Sequence, residues 1–282
     1  MPSVGSRALA LLCLAVLASA RRLDPRRPLS GYDRTAPEAL IFVLAGQSNM
    51  AGNGGVNGGP WDGVVPPQCR PSSSILRLDA RLHWEVAREP LHADIDVNMS
   101  CGVGPGMPFA HALLTSSLFP RHPPPTIGLV PCAIGGTSIQ EWARGTPLYG
   151  SLVRRATAAA AAAAAAAGRL AAVLWYQGES DTVVRADAEA YRGRMKRLIR
   201  DLRADLFSPE LPLIQVALAS GEGNFTEVVR HAQKGIKVPN VACVDGKGLP
   251  LEADHVHLTT EAQVKLGKML AKAYLKLTAT AD

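Results

Sequence analysis

The hydrophobic pattern of the chain is one of short continuous runs. Stretches at 40–45, 126–132, 171–176, 211–218 and 240–245 are predominantly apolar and continuous rather than alternating, as expected of strands covered on both faces. Helical periodicity lies between them. Over 186–206, Tyr191, Met195, Leu198, Ile199, Leu202 and Leu206 recur at helical spacing, while Arg192, Lys196, Arg200 and Arg203 fall off that stripe. One face of that helix is therefore buried and a basic face is solvated. Farther on, Thr260 and Gln263 read as a capping box, followed by a polar stripe of Lys265, Lys268, Lys272 and Lys276. The alanine run at 158–167 reads as a helix, since alanine is the best helix former and too weakly apolar for a membrane span. Alternating helices and doubly buried strands predict a single doubly wound α/β domain, flavodoxin-like, with a parallel sheet of five strands or slightly more.

Composition narrows the class. Of 282 residues, 47% are hydrophobic and 19% charged, and 26 Gly and 21 Pro are scattered without period. That excludes a disordered chain, a collagen and a coiled coil. The net charge of +6 mildly favours an acidic partner, such as a polymer containing uronic acids. The cations follow helix faces, however, and nucleic acid is not expected as a partner.

The first residues read as a leader. Arg7 precedes an apolar run at 8–17 and Ala18-Ser19-Ala20, the pattern of a signal peptide over 1–20. A basic, proline-containing arm follows at 21–37, and the folded domain occupies 38–282. No later stretch suits a membrane anchor, so a secreted, extracellular protein is expected, with no membrane partner after cleavage. Cleavage would leave Cys69, Cys101, Cys132 and Cys243. Two disulfides are possible; a Cys69–Cys101 bridge is one option, and buried thiols at Cys132 and Cys243, inside apolar runs, are another. Asn98-Met99-Ser100 and Asn224-Phe225-Thr226 are glycosylation sequons that fit the same route.

In doubly wound sheets, ligands bind beyond the carboxyl ends of the strands. The unusual residues collect there: Gly46-Gln47-Ser48-Asn49-Met50, Gly135-Gly136-Thr137, Gln177-Gly178-Glu179-Ser180-Asp181 and Asp254-His255-Val256-His257. A serine on a glycine-preceded turn, with Asp254 and His257 three residues apart to orient a base, makes an activated nucleophile. Gly135 and Gly136 offer backbone N–H groups, and Gln177 an amide, to an oxyanion. Each also has a plainer role: Ser48 as a helix cap, the glycines as a turn, Gln177 as a loop holder. Glu179 and Asp181 lie too close in sequence for a glycosidase pair and suit loop holding or substrate contact. His255 and His257 with Asp254 or Asp245 are the competing metal set; rings one residue apart in an extended segment diverge. The glycine loop after Ser48 lacks both nucleotide fingerprints. No cofactor and no metal are expected.

These blocks, together with Trp175-Tyr176-Gln177-Gly178-Glu179-Ser180, resemble those of the SGNH/GDSL hydrolases. The form is that of carbohydrate esterase family six and the sialate O-acetylesterase-like domain, and within it the plant probable carbohydrate esterases. The likeness runs over about residues 38–277 and rests on four motifs in order. It implies Ser48 as nucleophile, His257 as base and Asp254 as its orienter, with an oxyanion hole from Ser48 N–H, Gly136 N–H and the Gln177 amide. Asn49, Gly135 and Glu179 would hold substrate or loops. Gln177 stands where the wider superfamily has asparagine. The implied activity is a serine esterase removing O-acetyl groups from a carbohydrate, acetylated cell-wall xylan foremost, through an acetyl-enzyme. A sugar O-acetyltransferase or a non-catalytic glycan-binding module on the same fold remain the alternatives; substrate identity and oligomeric state are not legible.

Overall fold

The structure, a computed structural model, describes residues 39–117, 125–164 and 168–279. The expected signal peptide at 1–20, the arm at 21–37 and the end of the alanine run at 165–167 lie outside these residues. The five apolar runs form β1 (Ala39–Gly46), β4 (Thr126–Pro131), β5 (Arg169–Tyr176), β6 (Leu213–Ala217) and β7 (Val241–Asp245). Two short strands that carry no continuous apolar run, β2 (Ile75–Leu78) and β3 (Trp84–Val86), extend the sheet to seven in the order β3-β2-β4-β1-β5-β6-β7. Every pairing is parallel except the β2–β3 hairpin at one edge.

The helices are α1 (Ser48–Ala51), α2 (Gly106–Leu114), α3 (Pro147–Ala164), α4 (Arg185–Asp205), α5 (Thr226–Lys234) and α6 (Thr260–Ala279). β1 is central and buried at all eight positions, which explains its unbroken apolar run. On one sheet face Phe42 meets Phe109 of α2 and Tyr274 of α6 edge to face, with ring centroids 4.8 and 5.0 Å apart. On the other, Trp175 packs edge to face on Trp142 at 5.4 Å. The expected stripes hold: Tyr191, Met195, Leu198, Ile199 and Leu202 are buried on α4, and all four stripe lysines of α6 are exposed.

Arg155 of α3 ties two strands together. It is buried, and its guanidinium donates to Pro131 O at 2.9 Å, Asp79 O at 2.9 Å and Leu78 O at 2.8 Å, at the ends of β4 and β2. Those carbonyls lie where the ladder stops, so the side chain supplies the donors the sheet lacks.

Three expectations are corrected. The cap of α6 is Thr259, not Thr260: its Oγ1 accepts from Ala262 N–H at 3.2 Å, and the Gln263 amide instead donates to Asn49 O at 3.1 Å. Cys69 and Cys101 are not bridged; all four described cysteines are free thiols. Burial holds the Cys101 thiol up at about 12, reinforced by nearby Asp96 and Glu89, so it stays protonated. Cys243 is exposed, because β7 is an edge strand.

Candidate active site

Because β4 and β5 flank β1 on opposite sides, the chain connections diverge there and a crevice opens beyond the carboxyl end of β1. Gly46 turns the chain out of that strand with φ +132°, and a Cβ there would fall 2.0 Å from Tyr176 O. Only glycine fits. The next residue donates its N–H to the same Tyr176 oxygen at 2.9 Å, which fixes where α1 begins. Ser48 is thereby the first residue of α1, its side chain at the crevice and its N–H without an acceptor among the described residues.

The partner of Ser48 comes from the loop after β7. Asp254 Oδ1 accepts from the N–H groups of Val256 and His257, both at 2.9 Å, a side-chain-closed turn that aspartate forms readily. His255 takes the left-handed position of that turn, φ +58°, and is exposed. The segment is thus the turn on which the Asp254–His257 pairing depends, and not the extended segment weighed for the metal set. This turn brings the imidazole over its own carboxylate: His257 Nδ1 lies 2.6 Å from Asp254 Oδ2, and Nε2 lies 2.8 Å from Ser48 Oγ. Both bonds form at once when Nδ1 carries the proton and donates to Asp254, leaving Nε2 to accept from the serine hydroxyl. Burial pushes the Asp254 carboxyl up, but the His257 N–H and imidazole and the Val256 N–H bring it below the ordinary aspartate range. Asp245, the other residue of the competing metal set, is engaged by Arg230 at 2.7 Å and Lys234 at 2.8 Å. Among the described residues, no three His, Cys, Asp or Glu side chains gather where they could hold a metal ion.

Asn49 brackets the histidine. Its amide donates to Val256 O at 3.2 Å and its Oδ1 accepts from Leu258 N–H at 2.9 Å, one bond on each side of His257. The same amide donates to Glu179 Oε1 at 2.8 Å. Glu179 is fully buried, and its other oxygen has no partner among the described residues. Burial pushes its carboxyl up to about 7, partly offset by the Asn49 bond. Its bond to Asn49 joins the loop after β5 to α1.

Gln177 differs from its expected place. It is fully buried, and its amide nitrogen faces Asp181 Oδ2 at 2.6 Å, Thr137 O at 2.9 Å and Gln47 Oε1 at 3.2 Å. Its two hydrogens are committed to protein acceptors, so Gln177 supports the glycine turn from behind and does not offer a free donor to the crevice. Asp181 completes that support by accepting from Ile139 N–H at 2.9 Å; burial raises its carboxyl to about 6, opposed by the Gln177 and Ile139 bonds. In the turn itself, Gly135 N–H is taken by Asp96 Oδ2 at 2.8 Å. Gly136 is exposed, at φ +67°, and its N–H has no acceptor among the described residues. The turn thus leaves Gly136, not Gly135, with a donor to offer.

Asp254 and His257 also line a cleft, together with Asn53, Val56, Gly58 and Gly59 of the glycine-rich loop and with Met99 and Ser100. Three contributors carried no legible assignment. Asp96 stands in no motif, Gln263 was masked by its fit to a capping box, and Gln47 sits inside the serine block without a chemistry of its own. Gln47 Oε1 accepts from Gly178 N–H at 3.2 Å, joining the ends of β1 and β5.

Comparison with known proteins follows the same lines. The family model described as carbohydrate esterase, sialic acid-specific acetylesterase, matches residues 38–276. A probable carbohydrate esterase of Arabidopsis thaliana is 55% identical over 249 residues, 85% of this chain and 91% of that protein. The X-ray structure of an Arabidopsis thaliana protein superposes with a TM-score of 0.79 at 54% identity, covering 85% of this chain and 99% of the other. A carbohydrate acetylesterase from Xanthomonas citri shares the fold at a TM-score of 0.61 and 20% identity, over 85% of this chain and 57% of its own.

Proposed function

This chain belongs to the carbohydrate esterase, sialic acid-specific acetylesterase family, and from that premise we propose how its crevice works: as a serine esterase that removes O-acetyl groups from a carbohydrate through an acetyl-enzyme. It is a carboxylic ester hydrolase by family. One observation carries the mechanism: the unbroken relay Ser48 Oγ to His257 Nε2 at 2.8 Å and His257 Nδ1 to Asp254 at 2.6 Å.

Ser48 Oγ attacks the ester carbonyl as its proton passes to His257 Nε2, and Asp254 stabilises the resulting imidazolium. The oxyanion collects the N–H groups of Ser48 and Gly136, donors with no protein acceptor to give up among the described residues. Collapse returns the proton from His257 to the departing sugar oxygen and leaves an acetyl ester on Ser48. Water then gives a proton to His257 as its oxygen attacks the acetyl carbonyl, and collapse releases acetate as His257 returns that proton to Ser48 Oγ. Gln177 and Asp181 act indirectly, by fixing the turn that presents Gly136. The expected leader and sequons fit export, and an acetylated cell-wall xylan is the polymer we assign first. The purified chain should release acetate from a small acetate ester and from acetylated xylan. Sugar binding without any acetate release would instead mean a binding module.

A further inference from the structure

The charge around the cleft is opposite to that of the chain. Although the sequence carries 30 Lys+Arg against 24 Asp+Glu, one carboxylate, Asp254, lines the cleft, and three more hold the loops around it. Asp254 lies under His257. Glu252, two residues earlier, accepts from Gly55 N–H at 3.3 Å, and its own N–H donates to His257 O at 2.7 Å. Asp62 stands against the same glycine loop, its Oδ1 2.6 Å from where a Cβ on Gly55 would be. Asp96 holds the glycine turn beside Ser48 through Gly135 N–H. Among the described residues, no lysine or arginine pairs with any of these four, and none lines the cleft. The cations are elsewhere: Lys196 and Arg200 on α4, and Lys265, Lys268 and Lys272 on α6, are all exposed on the outer helix faces. The walls themselves are neutral, with Asn53 and Ser100 able to bond sugar hydroxyls and Met99 offering an apolar surface to a ring.

From this arrangement, and resting on the esterase mechanism above, we propose that the cleft selects uncharged acetylated sugars and disfavours those carrying a carboxylate beside the ester, sialic and uronic acids included. A concave site focuses the field of the charges around it. A substrate carboxylate entering this one would lose water, find no cation among the described residues, and approach Asp254 with Glu252 and Asp62 behind the glycine loop. The uronic-acid preference expected from the net charge is thereby replaced, because net charge describes the whole surface and the substrate meets only the cleft.

The test is a matched pair, an acetylated glucuronoside and its carboxamide, which differ in charge and not in ester. Acetate release by the full chain at low salt should show kcat/KM about tenfold higher for the carboxamide, with the gap narrowing as salt screens the exposed charges. The variant Asp62→Asn with Glu252→Gln should narrow the kcat/KM ratio of carboxamide to acid at low salt; an unchanged ratio overturns the selectivity. Equal or faster turnover of the acid at low salt overturns the selectivity but leaves the esterase mechanism standing. Absence of acetate from both sugars and from a simple acetate ester overturns the mechanism itself, and the selectivity with it.

Discussion

At the scale of residues, reactivity depends on a serine hydroxyl, an imidazole and a carboxylate held in series. Ser48→Ala should keep the wild-type thermal transition and lose about three orders of magnitude or more in kcat, the scale for a triad nucleophile. His257→Ala should match it, and the double variant should be scarcely worse, since the two act as one unit. Exposed His255, pointing out of the turn, should tolerate alanine with little loss; comparable kinetics for His255→Ala and His257→Ala would contradict these roles. Ser48, Asp254 and His257 were legible because short-range spacing sets their geometry: a glycine-led turn and an aspartate-closed turn are local events. Gln177 was not, because the acceptors its amide meets, Thr137 O and Gln47 Oε1, come from distant parts of the chain. Asp96 was invisible for the same reason, its partner Gly135 lying 39 residues away.

At the scale of elements, α1, the loop after β5 and the loop before α6 are locked by one side chain, Asn49. Asn49→Ala should lower kcat by about a hundredfold with a smaller change in KM, because it frees His257 to drift from Ser48 by a fraction of an ångström or more. A drop in melting temperature with unchanged kcat would mean Asn49 is merely structural. Glu179 adds a pH signature. Its carboxyl titrates at about 7 when folded against 4.5 as the ordinary value, so the folded state holds its proton more tightly than the unfolded one. Stability contributed by this group is therefore full below about 4.5 and is lost as pH rises through about 7. Glu179→Gln keeps an acceptor for Asn49 and removes the titration, so its denaturation midpoint should decline less than wild type over that interval. Parallel declines would contradict the buried, titrating carboxyl. The elements were mostly legible, since continuous apolar runs and helical stripes report burial directly. The β2–β3 hairpin was missed because its strands of four and three residues are mixed in burial, leaving neither a run nor a clean alternation. The α6 cap shifted by one residue because two adjacent threonines compete and only the packing against Asn49 decides between them.

At the scale of the whole molecule, the order of strands places the crevice at the end of β1, and the loops that fill it come from the ends of β1, β4, β5 and β7. A loss at a buried residue that touches none of the catalytic groups should therefore be felt as stability rather than chemistry. Arg155→Met leaves Pro131 O, Asp79 O and Leu78 O without their donor and should cost about 3 kcal/mol or more by denaturant unfolding, while kcat of the folded fraction stays near wild type. An unchanged midpoint would show that water replaces the guanidinium freely. Strand order was not itself legible, since each apolar run looks alike; it followed from the doubly wound pattern only as a class. The covalent step unites all three scales, because it requires the turn at Gly46, the relay through His257 and the crevice that admits the ester. It is tested most directly by quenching the chain in acid within a turnover of a small acetate ester and mapping its peptides by mass. The esterase mechanism requires an acetyl group on the peptide bearing Ser48, absent from Ser48→Ala; acetate released with no acetyl at Ser48, and by Ser48→Ala as fast as by wild type, would contradict it.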